Sequence, residues 1–81
     1  MSKFKATQND HWNGFHITFE NGFTVSVQFG KGNYSDQGET TAEVGAWGPD
    51  REWVRLGEND TVKGWCTPNE VLEIMNQIAS K

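Results

Sequence analysis

Cysteine is almost absent from this sequence of 81 residues, in which Cys66 stands alone. A single thiol excludes an internal disulfide and a zinc site built from several thiolates, so the composition favours a reducing compartment. The length allows one small hydrophobic core, and the two prolines leave little linker-like sequence. A multi-domain enzyme is therefore excluded.

Long hydrophobic runs and an excess of positive charge are also missing. No segment approaches the roughly 20 apolar residues of a membrane helix, and the mean hydropathy is -0.71. The first residues lack the apolar region of a signal peptide, so we expect the protein in the cytoplasm. The formal net charge of -4 makes binding to nucleic-acid backbone or to an acidic membrane surface unfavourable.

Aromatic residues, in contrast, are plentiful: four Trp, five Phe and one Tyr. Each large ring can bury about 150–250 Å², which strengthens a small core and also favours self-association. An intact monomer and a homodimer or higher oligomer stay open as alternatives.

Alternation of apolar and polar residues predicts an antiparallel hairpin from two runs, residues 15–19 and 23–29. A two-residue Asn-Gly turn would place polar side chains opposite apolar ones, because directly opposed residues share a face. We therefore predict a three-residue loop that ends at a left-handed Gly22 and pairs Phe19 with Phe23.

Further alternation predicts more strands. Residues 40–47 direct small apolar side chains inward, which leaves room for a helix to approach closely. Residues 53–56 predict a short fourth strand whose register sets Trp47 opposite Trp53. Residues 61–63 are a candidate fifth strand.

The segment Thr67-Pro68-Asn69-Glu70 is the clearest local signal, since it combines a capping hydroxyl, proline at the first helical position and glutamate at the third. It predicts a helix from Pro68 to about Ser80. The predicted buried stripe consists of Val71, Ile74, Met75 and Ile78.

These elements predict an α+β fold: a twisted antiparallel β-meander of four or five strands with one C-terminal α-helix packed on one face. Residues 1–13 show no clear periodicity and are interpreted as a lead-in segment. Residues 14–81 form the single domain.

A glycine-rich stretch at positions 30–38 is one candidate binding site. Its glycines let a backbone approach a ligand closely, a lysine can meet an anion and a tyrosine can stack on a base. It is not a P-loop, because the GxxxxGK[ST] pattern and the following helix are missing. A connection that simply packs its tyrosine on the core is the alternative. The candidate residues are Lys31, Asn33, Tyr34, Ser35 and Asp36.

Trp47, Trp53 and Arg55 form a second candidate, an aromatic and cationic patch on one predicted face. Such a patch suits a partner protein, a second subunit or a stacked base, unless the chain itself covers it. Seven acidic residues between positions 36 and 60 concentrate negative charge in the middle of the chain. Ordinary solvated turns and strand faces account for most of them.

Catalytic chemistry finds little support. His11, His16 and Cys66 lack the spacing of a zinc site. A Cys66 nucleophile with His16 as base is conceivable, but a cysteine just before a helix suits a small buried side chain better. We expect no catalytic residue, metal ligand or cofactor.

The segment NGFTVSVQFGKGNY at residues 21–34, with AEV at 42–44 and GWCTPNEV at 64–71, resembles small proteins encoded by tailed bacteriophages and prophages. The likeness covers roughly residues 14–79. Many such proteins carry Cys where this chain has Ser35, so a thiol-based role does not carry over. The resemblance implies a phage product that acts in the bacterial cytoplasm, where such proteins often counter host defence.

Two function hypotheses follow. The first is a non-enzymatic protein that inhibits a host defence component by protein contact, through the Trp47, Trp53 and Arg55 face or the acidic middle. The second is an oligomeric sponge that sequesters a small nucleotide signal with the loop at residues 30–36.

Overall fold

The computed structural model describes residues 2–8, 13–30, 40–56 and 61–81. Their elements are β1 (Lys3–Gln8), β2 (Asn13–Thr18), β3 (Thr24–Gln28), β4 (Ala42–Trp47), β5 (Val62–Cys66) and α1 (Pro68–Ala79). The strands form one antiparallel sheet in sequence order, and α1 packs against β3, β4 and β5. The predicted α+β class is confirmed. No helix within the described ranges is long and apolar enough to cross a membrane.

The hairpin between β2 and β3 has the predicted three-residue loop. The backbone N–H of Phe19 donates to the carbonyl of Phe23 at 2.9 Å, and that of Gly22 donates to Phe19 at 2.9 Å. Gly22 has φ 85, the left-handed conformation that the loop requires. Ile17 lies opposite Val25, so the apolar side chains share a face.

Residues 3–8, within the segment interpreted as a lead-in, form the edge strand β1. The sequence pattern does not predict this strand, because its alternation contains only two apolar residues, Phe4 and Ala6. β1 pairs with β2 so that Phe4 lies opposite Ile17 and Lys5 opposite His16. Since α1 does not reach β1, Phe4 stays 75% exposed.

The predicted fourth strand at residues 53–56 is wrong. Only an isolated bridge between Trp53 and Trp47 forms there, with the Val54 N–H donating to the Ala46 carbonyl at 2.9 Å. The rest of that edge of β4 pairs with β5, where Gly45 lies opposite Val62. A strand edge can bond one neighbour at a time, so the longer β5 leaves residues 53–56 only the end of β4. The predicted pairing of Trp47 with Trp53 is correct.

The core lies between the sheet and α1. Val25 and Val27 of β3 and the small inward residues of β4 meet Ile74 and Ile78 of the helix, and all are buried. The predicted capping box is confirmed: the Glu70 N–H donates to the Thr67 hydroxyl at 3.3 Å, and the Thr67 N–H donates to Glu70 Oε1 at 3.0 Å. Since Pro68 has no N–H, the cap region has three backbone N–H groups, and two of them thus gain partners within the chain.

The other end of α1 is closed by a residue far away in sequence. The side-chain amide of Asn21, in the loop between β2 and β3, donates to the carbonyl of Ile78 at 2.8 Å and to that of Ala79 at 3.3 Å. Its Oδ1 accepts from the Phe23 N–H at 3.0 Å. Asn21 therefore shapes the hairpin loop and satisfies helix carbonyls at once.

Candidate functional site

The sheet face opposite α1 forms an open cavity of about 830 Å³, called here the sheet-face pocket. All five strands and the segment after β4 contribute to it. Its described lining consists of Lys3, Lys5, Thr7, His16, Thr18, Thr24, Ser26, Gln28, Glu43, Gly45, Trp47, Arg51, Trp53 and Val62. Along β2, β3 and β4 these side chains alternate with residues that pack in the core, so the second face carries polar and aromatic side chains. At the centre of that face Thr24, Ser26 and Gln28 are buried, whereas Lys3, Lys5 and Trp53 at its ends are exposed.

The strand register arranges the lining in rows across the sheet. One row runs from Lys5 on β1 through His16 and Ser26 to Gly45 on β4. A neighbouring row runs from Lys3 through two threonines to Trp47. Because adjacent strands lie about 4.8 Å apart, the basic residues of β1 and the aromatic residues at β4 are separated by about 14 Å of sheet.

Aromatic rings form one end of the pocket. The rings of Trp47 and Trp53 meet edge to face with centroids 5.2 Å apart, and His16 meets Trp47 in the same way at 5.0 Å. Trp53 is 54% exposed, while Trp47 is half-buried. An exposed indole beside a fixed one offers a planar ligand a surface on which to stack.

Hydroxyl and amide groups form the floor between the two ends. The Gln28 amide donates to the Thr7 hydroxyl at 2.7 Å and to the Ser26 hydroxyl at 3.2 Å. The hydroxyls of Thr18 and Thr24 are 2.9 Å apart. In the described part of the chain, every buried side-chain N or O has a hydrogen-bond partner. The floor is therefore ordered by its own hydrogen bonds and needs no ligand to hold it.

The pocket's charge is opposite in sign to the chain's. Among its described lining residues, Lys3, Lys5 and Arg51 stand against Glu43, although the whole chain carries -4. Burial, and secondarily the ammonium group of Lys5, lowers the pKa of His16. The imidazole is therefore mostly neutral near pH 7, and the pocket favours anions through its lysines and arginine.

Of the eight sequence-predicted site residues, two lie in the sheet-face pocket, one lies outside its lining and five are outside the described residues. Trp47 and Trp53 lie together in the pocket, as their predicted pairing requires. Arg55 is exposed and is not among the lining residues. The candidates of the glycine-rich loop fall outside the described residues: Lys31, Asn33, Tyr34, Ser35 and Asp36.

Sequence reasoning missed the cations that face the tryptophans. Lys3 and Lys5 alternate with Phe4 and Ala6, and this short period of two was the available signal. No local pattern marks Arg51, which lies in the turn after β4 with φ 67.

Cys66 and His16 cannot act as a catalytic pair, because they lie on opposite faces of the sheet. Cys66 is 1% exposed on the helix side, its thiol is 3.5 Å from the Lys63 carbonyl, and burial raises its pKa. Within residues 2–8, 13–30, 40–56 and 61–81, no group of three or more His, Cys, Asp or Glu side chains is placed to hold a metal.

The arrangement of rings, cations and a polar floor is suited to binding a ligand by stacking, charge and hydrogen bonds. Comparisons of the chain with protein-family models, with curated proteins and with solved structures find no match.

Proposed function

We propose that the protein is a non-enzymatic binding protein that retains a small nucleotide in the sheet-face pocket. The observation that carries this proposal is the placement of an accessible indole pair and of basic side chains around one polar pocket. A nucleotide combines a planar base with anionic phosphate, so it matches both features at once. The nucleotide-sponge hypothesis thereby moves from the loop at residues 30–36 to the open face of the sheet.

Stacking on aromatic side chains contributes about 1–3 kcal/mol per base and tolerates different bases. The half-buried hydroxyls of Thr7 and Thr18 offer hydrogen bonds to a sugar, while Ser26 and Gln28 beneath them are buried and bonded to each other. Lys3, Lys5 and Arg51 outweigh Glu43 among the described lining residues, which makes the pocket attractive to phosphate. Stacking, polar contacts and charge together give a pocket that binds an intact nucleotide.

Retention rather than turnover is favoured by the residues present. The one thiol, Cys66, is buried behind the sheet, where it cannot reach a ligand in the pocket. With the resemblance to small phage proteins, we propose that the protein acts in the bacterial cytoplasm and removes a nucleotide signal used by host defence. Phe4 lies on the same face of the sheet as α1 but beyond its reach, and its 75% exposure supports self-association of such a sponge.

Protein contact is the second candidate function. Trp53 is 54% exposed and Arg55 is exposed two residues later, and both residue types are common where binding energy is concentrated in protein interfaces. On this hypothesis, the patch occupies a host defence component. The two candidate functions predict different effects of substituting the arginines. Arg51 lines the pocket, whereas Arg55 does not and belongs only to the protein-contact patch.

Native mass spectrometry of protein purified gently from bacterial lysate tests the proposal first. A subunit multiple of 9.1 kDa that carries the added mass of a nucleotide supports it. A stoichiometric host protein without added small mass supports the protein-contact candidate instead. A bare chain that also shows no thermal stabilisation by a panel of mononucleotides and cyclic dinucleotides contradicts the proposal.

Matched variants then locate the site. Trp53→Ala should abolish nucleotide-dependent thermal stabilisation. Trp65→Ala should preserve it, because Trp65 is similarly exposed at 57% but lies outside the pocket lining. Tyr34→Ala and Asn33→Ala show whether the glycine-rich loop takes part. Stabilisation lost with the loop variants and kept with Trp53→Ala would return the site to residues 30–36.

A further inference from the structure

We infer that Lys3, Lys5 and His16 form the phosphate end of the sheet-face pocket, so that a bound nucleotide lies across the strands with its base at the two tryptophans. We further infer that phosphate binding there is accompanied by proton uptake at His16. This inference rests on the proposed function and adds a direction and a protonation step to it.

Three basic side chains converge at this end through the strand register. Lys5 lies directly opposite His16 in the β1–β2 pair, and Lys3 is two residues along the same face of β1. Residues two apart in a strand are about 7 Å apart. The two ammonium groups and the imidazole can therefore reach one phosphate group.

The separation of the two ends selects for an extended ligand. About 14 Å of sheet separates the β1 backbone from that of β4, and the ring of His16, which meets Trp47, spans part of this interval above the polar floor. A free base or inorganic phosphate can occupy only one end. A nucleoside polyphosphate or a dinucleotide can reach both, with its sugar near the half-buried hydroxyl of Thr18.

His16 is the inner residue of the phosphate end, beside the tryptophans, and responds to the charge of the ligand. Its ring meets Trp47 at 5.0 Å on one side, and Lys5 is its cross-strand neighbour on the other. Lys3 on β1, Glu43 on β4 and Arg51 beyond β4 are the other charged side chains of the described lining.

In the free protein, burial and the charge of Lys5 disfavour the imidazolium. A phosphate dianion beside Lys3 and Lys5 cancels their positive charge and so favours the imidazolium. Binding therefore raises the pKa of His16 from its lowered value, and a proton is taken up when a phosphorylated ligand binds. An uncharged nucleoside has no such effect.

Isothermal titration calorimetry tests both parts, with ATP, GTP, CTP and UTP and their nucleosides as probes. Titrations at pH 7.5 and 5.5, in buffers of different ionisation enthalpy, measure affinity and proton uptake. We expect triphosphates to bind more tightly than nucleosides, more so at the lower pH. Lys5→Gln should weaken triphosphate binding by about tenfold or more and leave nucleoside binding unchanged, whereas Lys81→Gln should change neither. His16→Asn should abolish proton uptake.

The outcomes separate the inference from the proposed function. Equal binding of nucleosides and triphosphates, or an equal loss of both in Lys5→Gln, overturns the inference and leaves nucleotide binding standing. If Arg51→Gln removes the preference for triphosphates and Lys5→Gln does not, the phosphate lies at the aromatic end. That result also overturns the inference. Absence of binding by every probe contradicts both the inference and the proposed function.

Discussion

The ring of Trp53 rests on Gly45: a Cβ added to Gly45 would lie 2.9 Å from Cζ3 of Trp53. Gly45 is in the middle of β4, where a larger residue would be expected to pack better. Its missing side chain leaves the space that the indole occupies. The second indole, Trp47, follows two residues later on the same face, so the ring pair depends on this glycine.

Gly45→Ala should displace the Trp53 ring and weaken ligand binding. Because the ring is half-exposed and can move away, we expect the free energy of unfolding to change by less than about 1 kcal/mol. Tryptophan fluorescence and ligand titration measure the effect. In a double mutant, Gly45→Ala should add little to the loss caused by Trp53→Ala. Additive losses would show that Gly45 acts on binding by another route.

Thr67→Ala removes the hydroxyl that accepts from the Glu70 N–H. The loss of an N-cap side chain costs about 1 kcal/mol, which in a domain of this size lowers Tm by about 4–8 °C. Thermal unfolding followed by circular dichroism checks this value. Asn69→Ala, on the same exposed turn, is the control and should not reproduce the loss. Equal stabilities of Thr67→Ala and wild type would mean that water replaces the cap fully.

Asn21→Ala removes the donor that binds the carbonyls at the end of α1. We expect a loss of about 1–2 kcal/mol in the free energy of unfolding, measured by urea denaturation. Asn21→Asp should be worse than Asn21→Ala, because it places a carboxylate against carbonyls at the negative end of the helix dipole. The reverse order would show that the Phe23 N–H bond, which aspartate retains, dominates.

Stability should depend on pH through His16, whose pKa is lowered in the folded protein. As pH falls through about 6.5, the unfolded chain binds a proton more readily than the folded one. The free energy of unfolding therefore decreases toward acid in this window.

Glu70 affects stability in a separate pH range, because its pKa is also lowered in the folded protein. Its contribution to the free energy of unfolding is present above about pH 4.3 and is lost as the pH falls below that value.

Urea denaturation at pH 7.5 and 5.5 measures the histidine effect. His16→Gln should show a smaller loss between the two pH values than wild type. His11 is retained in both proteins, so its contribution cancels in the comparison. Identical pH dependence of the two would be incompatible with this assignment.

The structural features that the sequence predicts correctly are those determined by residues close to each other in the sequence. The three-residue loop follows from which residues must face each other across a short turn, and the capping box from four consecutive residues. The pairing of Trp47 with Trp53 follows in the same way from the intervening turn. Local geometry leaves few alternatives in such cases.

The features that were missed depend on competition between distant segments. Residues 53–56 do alternate, but β5 takes most of the β4 edge that they would have used. Asn21 and Ile78 are 57 residues apart, and no sequence signal connects them. The basic end of the pocket was missed because Lys3 and Lys5 face the tryptophans only across two intervening strands.

β1 carries Lys3 and Lys5 but pairs with a single strand, β2. Edge segments open at lower free energy than central strands, and amide hydrogen exchange reports this opening. When β1 detaches, the tryptophans and His16 on β2 stay in place, but Lys3 and Lys5 of the proposed phosphate end leave the pocket. If phosphate binds where we propose, its affinity is scaled by the fraction of molecules in which β1 is docked, and a bound phosphate in turn holds the strand in the sheet. On that proposal, capture of the ligand and completion of the sheet edge are one coupled equilibrium.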